Sequence, residues 1–151
     1  MPRLVKFARL RGSERALIAR GWTEVALMRV ATWTLPYSRV RAIVARRSAA
    51  RAPTAAARPE RERIAWSITV ASAYVPGGRN CLVRALATEA MLGAFGYDGE
   101  LKIGVARTAD GQLRAHAWLE SAGRPIIGDF DLDNYVMLTA HRAGKSSKHP
   151  A

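Results

Sequence analysis

The sequence PGGRNCLVRALATEAML, residues 76–92, decides the fold. Its opening Pro-Gly-Gly ends one helical pattern, and Asn80 is a residue type that caps the next helix by accepting hydrogen bonds from backbone amides. A helix is therefore predicted from Cys81 to about Phe95. Its apolar residues form one broad stripe, which is typical of a central helix packed on a sheet: Leu82, Val83, Leu86, Ala90, Met91 and Leu92.

The sequence after this helix changes to a period of two residues, which is typical of strands. Leu101, Ile103 and Val105 alternate with smaller or charged residues and predict a first strand from Glu100. Turn sequences at residues 108–111 and 121–123 then separate a second strand, residues 113–120, from a third, residues 124–128. A helix followed by an antiparallel meander predicts an α+β fold.

The sequence before the helix that begins at Cys81 also predicts helices. One runs from about Gly12 to Leu35, with Ser13 as its N-cap and Pro36 as its end. A second, shorter helix runs to about Arg47, and another begins near Glu60. We therefore divide the chain into a basic helical segment (1–47), a linker rich in proline, alanine and serine (48–59), the core domain (60–140) and a flexible basic tail (141–151).

Positive charge is concentrated in the N-terminal half. The chain has 24 Lys and Arg against 12 Asp and Glu. Residues 1–63 hold 15 of the basic and 4 of the acidic residues, whereas residues 64–151 hold 9 and 8. An arginine-rich apolar segment suggests an acidic protein or peptide, an anionic membrane surface or nucleic acid as a partner, and the alternative is a solvated helix face. The basic segment has few aromatic residues among its arginines, which argues against single-stranded nucleic acid.

Several classes of protein are disfavoured by composition. A single cysteine excludes an internal disulfide and a cysteine-based zinc site, and it fits a reducing cytoplasm. The N-terminus lacks a secretory signal pattern. The most apolar early stretch, residues 22–35, contains Glu24 and Arg29 and is too short and charged to span a membrane, although it could lie flat on one.

Cys81 is the candidate nucleophile. The backbone amides and dipole at a helix N-terminus stabilise a thiolate, and the same amides can bind the oxyanion of a tetrahedral intermediate. The alternative is a small buried apolar residue, since free cysteine is among the most buried residue types. Arg79 and Asn80 place the position at the mouth of the helix, which favours the nucleophile.

A candidate base and a candidate orienting acid lie on the following strands. His116 lies in the second strand and shares a face with Trp118 and Glu120. Asp129 follows the third strand, and antiparallel pairing with the second strand could place its carboxylate beside His116. There the carboxylate would fix the imidazole tautomer and stabilise imidazolium. Asp131 is the alternative acid, and a turn-capping aspartate or a half-buried surface histidine is the plain structural interpretation.

Other chemistries find no support in the motifs. The run from Asp129 to Asn134 has the spacing of a calcium loop, but residues 134 and 140 lack the glycine and glutamate that such a loop needs. No phosphate loop or dinucleotide fingerprint is present. We therefore expect neither a metal nor a cofactor.

The motifs VPGGRNCLVRALA (75–87), LKIGV (101–105) and AHAWLE (115–120), with LPYSRVR (35–41), resemble those of lasso peptide biosynthesis B proteins. The resemblance covers nearly the whole chain. It implies a transglutaminase-like, papain-like cysteine peptidase that removes the leader from a ribosomally made precursor. Carried over by position, Cys81 is the nucleophile, His116 the base and Asp129 the third member of the triad.

The resemblance also implies partners. A separate leader-recognition protein would capture the precursor, because the chain has no room before residue 12 for that module, and a cyclase would then close the macrolactam. We expect a cytoplasmic protein, with a membrane surface as a further contact. Two alternatives stay open: a transglutaminase-type acyltransferase, in which an amine replaces water, and a non-catalytic module that binds through the basic helices.

Overall fold

The computed structural model describes residues 8–50, 58–128 and 132–142, and for residues 139–142 only the backbone. The helices that lie wholly within these residues are α1 (Gly12–Thr34), α2 (Tyr37–Ala49), α3 (Arg61–Ser72) and α4 (Cys81–Ala94). The strands are β1 (Glu100–Arg107), β2 (Leu113–Ser121), β3 (Arg124–Ile127) and β4 (Val136–Arg142), with a short 3₁₀ helix (Leu132–Asn134) before β4. The predicted α+β class is confirmed.

The helix ends follow from their local sequence. α1 ends at Thr34, before Pro36, as expected from the restriction that proline places on the preceding residue. The prediction of Ser13 as the N-cap of α1 was wrong. The helix begins at Gly12 with Arg11 as its cap residue, and the Glu14 carboxylate accepts a hydrogen bond from the Arg11 backbone amide at 3.3 Å.

The four described strands form one antiparallel sheet in the order β3-β2-β1-β4. β1 and β2 pair with Gly104 opposite His116 and Leu101 opposite Leu119. The β2–β3 turn holds Ala122 and Gly123 at φ values of 52° and 73°, which is the backbone of a tight hairpin. β4 was not predicted. It pairs with β1 at the edge of the sheet and includes residues 141 and 142 of the predicted tail.

The hydrophobic core lies between α4 and one face of the sheet. Leu86, Met91 and Leu92 of α4 are fully buried, and Leu101 and Leu119 of the sheet belong to the same cluster. Most of α4 is buried, from Val83 to Leu92 without an exposed residue. A central helix packed on an antiparallel sheet is the arrangement that the apolar stripe of residues 82–92 predicts.

The N-terminal helices contribute to that same core. Val25 and Met28 of α1, and Val40 and Val44 of α2, are buried within the cluster that contains the α4 side chains. Buried side chains on both sides of the predicted linker therefore pack together. The boundaries at residues 47, 59 and 140 stay predictions, and residues 51–57 and 143–151 of the linker and tail lie outside the described part of the chain.

Two buried carboxylates tie α2 to its neighbours. Glu89 of α4 accepts two hydrogen bonds from the Arg41 guanidinium, at 2.6 and 3.0 Å, and its side chain is fully buried. Glu24 of α1 accepts two from Arg47, one of them at 3.1 Å. Planar bidentate pairs of this kind fix orientation as well as distance. They hold the helical hairpin in one position against the helix that begins with Cys81.

Candidate active site

Cys81 is the first residue of α4, as predicted. The Asn80 side-chain oxygen accepts hydrogen bonds from the backbone amides of Leu82 at 2.9 Å and Val83 at 3.4 Å, which confirms Asn80 as the N-cap. The thiol is free and partly buried, and it packs against the edge of the hydrophobic core. The cap fixes the first turn of α4, so the Cys81 amide and side chain have a defined position at the helix mouth.

The loop before Cys81 is shaped by glycine. Gly77 has φ of 72°, a conformation that L side chains rarely adopt. A Cβ atom there would also collide with the guanidinium of Arg29 from α1, and one at Gly78 would lie 2.8 Å from the Ser72 carbonyl oxygen. α1 therefore contacts the loop that delivers the cysteine, and side chains at either glycine position would displace that loop.

His116 lies on β2, where sequence analysis placed it. Ala117 and Leu119 on the same strand point into the core cluster, so by alternation His116, Trp118 and Glu120 lie on the opposite face. The imidazole is partly buried. Its ring centroid is 6.2 Å from that of Trp118 and 5.3 Å from that of Tyr135, so two aromatic side chains flank it.

The orientation of His116 is set by a backbone group that sequence analysis did not identify. Nε2 of the imidazole lies 2.6 Å from the carbonyl oxygen of Gly128, which follows β3. A carbonyl oxygen only accepts, so Nε2 carries the proton and donates it. In the neutral ring this leaves Nδ1 as the proton acceptor, which is the state that a general base requires.

Gly128 is suited to this role by its conformation. Its φ is 79°, and a Cβ atom would lie 2.8 Å from the Ala117 carbonyl oxygen. Only glycine fits without strain, so the chain turns sharply here and presents its carbonyl to the imidazole. A glycine directly after a strand and before Asp129 was the signal available in the sequence.

An ion pair stands on the same face of the sheet. Nζ of Lys102 lies 2.6 Å from the Glu120 carboxylate, and Nε1 of Trp118 donates to that carboxylate at 3.1 Å. Burial acts to raise the pKa of the Glu120 carboxyl, but the hydrogen bonds from Lys102 and Trp118 outweigh it, so the pKa lies below its ordinary value. Glu120 is thus a charged anchor for Trp118, which in turn flanks His116.

The two predicted site residues that the structure describes, Cys81 and His116, contact other residues. His116 contacts the residue immediately before Asp129, and α4 packs against the strand that carries His116 through the buried Ala117 and Leu119. Within the part of the chain that the structure describes, no hydrogen bond joins Sγ of Cys81 to the imidazole. Asp129 and Asp131 lie outside the described residues, so both stay predictions.

A family model of the transglutaminase-like superfamily matches residues 25–140. The chain belongs to the transglutaminase-like superfamily. The match spans α4, the described strands from β1 to β3 and most of the N-terminal helical hairpin. No match was found among curated proteins or among solved structures.

Membership of the transglutaminase-like superfamily indicates a general class of chemistry but not a substrate. A transglutaminase-like domain is consistent with a cysteine peptidase or an acyltransferase, and both chemistries pass through a thioester on a cysteine. Cys81 is the sole cysteine of the chain, so a thioester on this protein has one possible position. None of the described helices has the length and hydrophobicity needed to cross a bilayer.

Proposed function

We propose that this protein is a cysteine peptidase that removes the leader peptide from a lasso peptide precursor. Two separate observations support it: Cys81 lies at a capped helix N-terminus, and the Nε2 of His116 is held by the Gly128 carbonyl. The sequence motifs around these two residues resemble those of lasso peptide biosynthesis B proteins. A nucleophile, a base and a group that orients the base are the minimum for thiol peptidase chemistry.

In the proposed first half-reaction, Nδ1 of His116 takes the proton from Sγ of Cys81. The thiolate attacks the carbonyl carbon of the leader–core bond, and the Cys81 backbone amide at the start of α4 is the candidate donor to the oxyanion. The C–N bond then breaks. The imidazolium returns its proton to the leaving amine of the core, and the leader remains bound to sulfur as a thioester.

In the second half-reaction, water replaces the core amine. Nδ1 takes a proton from water, hydroxide adds to the thioester carbonyl, and the C–S bond breaks. The imidazolium returns its proton to the departing thiolate, which restores the thiol, and the leader acid loses its proton to solvent and leaves as a carboxylate. The freed core amine is the nucleophile that a cyclase needs for macrolactam formation, so a partner cyclase would act next.

Substrate binding has a structural task in this scheme. No hydrogen bond joins Cys81 to His116 in the described structure, and His116 lies on the face of β2 opposite Ala117 and Leu119, so the proposed proton transfer requires that the thiol and the imidazole be brought together. Catalytic hydrogen bonds often tighten only in the substrate complex. We infer that the leader, bound to a separate recognition protein, brings this pair together. The Asp129 carboxylate, next to Gly128, would stabilise the resulting imidazolium.

The experiment is mass spectrometry of a cognate precursor from a neighbouring reading frame, incubated with this protein and the leader-recognition protein. The matched control is Cys81→Ala, which removes only the sulfur. We expect a free leader fragment with the wild type and none with the variant. Equal cleavage by both proteins would refute the role of Cys81, and intact precursor in both, with leader binding shown separately, would refute the peptidase.

Acyl transfer is the second candidate, because the superfamily accommodates it and the first half-reaction is identical. It differs in the acceptor: an amine, rather than water, attacks the thioester. Adding a small labelled amine to the same incubation distinguishes the two. A leader carrying the amine, with no free acid, would favour the acyltransferase.

A further inference from the structure

The solvent-facing side of α1 is apolar. Trp22, Val30 and Trp33 expose 49, 56 and 77% of their surface and lie within about 16 Å along the helix axis. They recur at helical spacing on one stripe, and the other exposed residues around them are small or neutral, apart from Arg15 at its start. The opposite side of α1 holds Val25 and Met28 in the core. A helix that is apolar on both sides needs a second apolar or interfacial environment.

The helical hairpin that carries this stripe is rich in positive charge. Residues 8–50 contain nine arginines and two glutamates. Both glutamates are already paired: Glu14 contacts Arg63 of α3, and Glu24 contacts Arg47 of α2. α2 contains no acidic residue, and its Arg39 and Arg46 are exposed. A surface that binds here must therefore be anionic as well as receptive to indole rings.

We propose that the α1 stripe, defined as Trp22, Val30 and Trp33, docks this protein on an anionic membrane surface. Indole rings favour the boundary between headgroups and acyl chains, and arginines beside them bind lipid phosphates. The three side chains project from one face of a helix, an arrangement that suits shallow insertion into the membrane interface. The helix would lie in the plane of the interface.

Two other occupants fit the observations less well. A second copy of this chain would bring the same excess of arginine against the stripe, and the repulsion would oppose association. Duplex nucleic acid would satisfy the arginines through its phosphates but would leave the indoles without an apolar partner. A protein with an acidic rim around an apolar pocket is the occupant to which failure to bind anionic vesicles would point.

Docking through α1 would also orient the site. Arg29, on the border of the stripe, packs against Gly77 in the loop before Cys81. A membrane-bound α1 would therefore hold the mouth of α4 at a fixed position relative to the lipid surface. This inference rests on no catalytic step, so it stands or falls independently of the proposed peptidase.

The test is co-sedimentation of the full chain with vesicles of phosphatidylcholine, with and without phosphatidylglycerol. The test variant carries both Trp22→Ser and Trp33→Ser. If its circular dichroism spectrum shows that it is unfolded, Trp33→Ser alone replaces it. The control is Leu113→Ser, which changes a residue that is 70% exposed on β2. We expect binding to anionic vesicles that weakens with salt, and roughly tenfold or greater loss in the tryptophan variants only.

Three results would overturn the proposal. The first is no binding to anionic vesicles at low salt. The second is binding that the tryptophan variants leave unchanged, which would reduce the contact to charge alone. The third is a concentration-dependent dimer, seen by analytical ultracentrifugation, that the tryptophan variants abolish while vesicles bind neither protein. That result would assign the stripe to a second copy of the chain.

Discussion

Asn80 holds the residue on which the proposed chemistry depends. Its side chain satisfies two amides at the start of α4, and Cys81 lies between them and the loop. We expect Asn80→Ala to lower the free energy of unfolding by about 1 kcal/mol, because a capping acceptor is lost. Urea denaturation measures this directly.

A serine at the same position provides the control, because its hydroxyl also caps helices. Asn80→Ser should therefore recover most of the lost stability. Equal losses for the alanine and serine variants would show that the side chain acts in another way.

Gly128 is predicted to matter for the imidazole more than for the fold in general. A Cβ atom there would strike the Ala117 carbonyl and move the carbonyl that accepts from His116. We expect Gly128→Ala to lower the free energy of unfolding by more than about 1 kcal/mol. We also expect it to reduce the fraction of His116 that is protonated on Nε2, which nitrogen NMR shifts measure.

Gly123→Ala is the matched control for that variant. Its φ is 73°, close to the 79° of Gly128, but a Cβ atom there would meet nothing within 4 Å. It should cost about 1 kcal/mol from backbone strain alone and leave the His116 spectrum unchanged. A Gly128→Ala protein with the wild-type imidazole spectrum would contradict the role given to the carbonyl.

Glu120 gives the site face a pH dependence. Its pKa is depressed in the folded protein by Lys102 and Trp118. The carboxylate therefore contributes stability fully above its unfolded pKa of about 4.3, and the contribution is lost as the pH falls through the lower folded pKa. Glu120→Gln should lower the free energy of unfolding by about 1–2 kcal/mol at neutral pH and should change it little in acid.

The exposed pair of Glu62 and Arg124 supplies the comparison for Glu120. Their side chains are 58 and 67% exposed, so Glu62→Gln should change the unfolding free energy by less than about 1 kcal/mol. Thermal unfolding of both variants between neutral and acid pH makes the comparison. A Glu120→Gln deficit that does not shrink in acid would rule out the charged pair as its cause.

At this scale the sequence predicted side chains better than backbone groups. Asn80 as a cap and Cys81 as a first helical residue follow from residue type and position. The glycine after β3 signals a sharp turn at residue 128, but every residue carries a carbonyl and only the fold decides which one meets His116. The catalytic roles of Cys81, His116 and Asp129 stay predictions.

A buried ion pair between α2 and α4 attaches the helical hairpin of α1 and α2 to α4. Arg41 of α2 is the bidentate partner of Glu89, whose side chain is fully buried, while the Arg41 side chain is 16% exposed. Removing the guanidinium leaves a buried carboxylate without its main cation. We expect Arg41→Ala to destabilise the fold by about 3 kcal/mol in urea denaturation.

Arg39 lies on the same helix, is exposed and serves as the control for Arg41. Arg39→Ala should change stability by less than about 0.5 kcal/mol. Similar losses of unfolding free energy for the two variants would mean that the Arg41–Glu89 pair stabilises the fold no more than an exposed arginine does.

Elements with a clear period were predictable, and β4 was not. β1 and β2 alternate, and α4 has an apolar stripe, so both types follow from spacing. β4 begins with three consecutive apolar residues, Val136, Met137 and Leu138, all exposed on the edge of the sheet. Without alternation, only its pairing with β1 makes it a strand.

The transglutaminase-like domain matches residues 25–140, and the described core draws on the N-terminal helices as well as α4 and the sheet. The sequence predicted a helical segment, residues 1–47, separate from the core domain, because a linker rich in proline, alanine and serine follows it. Which side of α1 is buried depends on tertiary packing: Met28 entered the core and Trp33 did not.

The central claim is that Cys81 carries the leader as a thioester. Intact-protein mass spectrometry, after rapid acid quenching of a reaction with precursor and recognition protein, tests it most directly. We predict a wild-type adduct equal to the leader less one water, removable by hydroxylamine and absent from Cys81→Ala. Leader release at the full rate with no such adduct at any quench time, or an adduct on Cys81→Ala, would contradict the account.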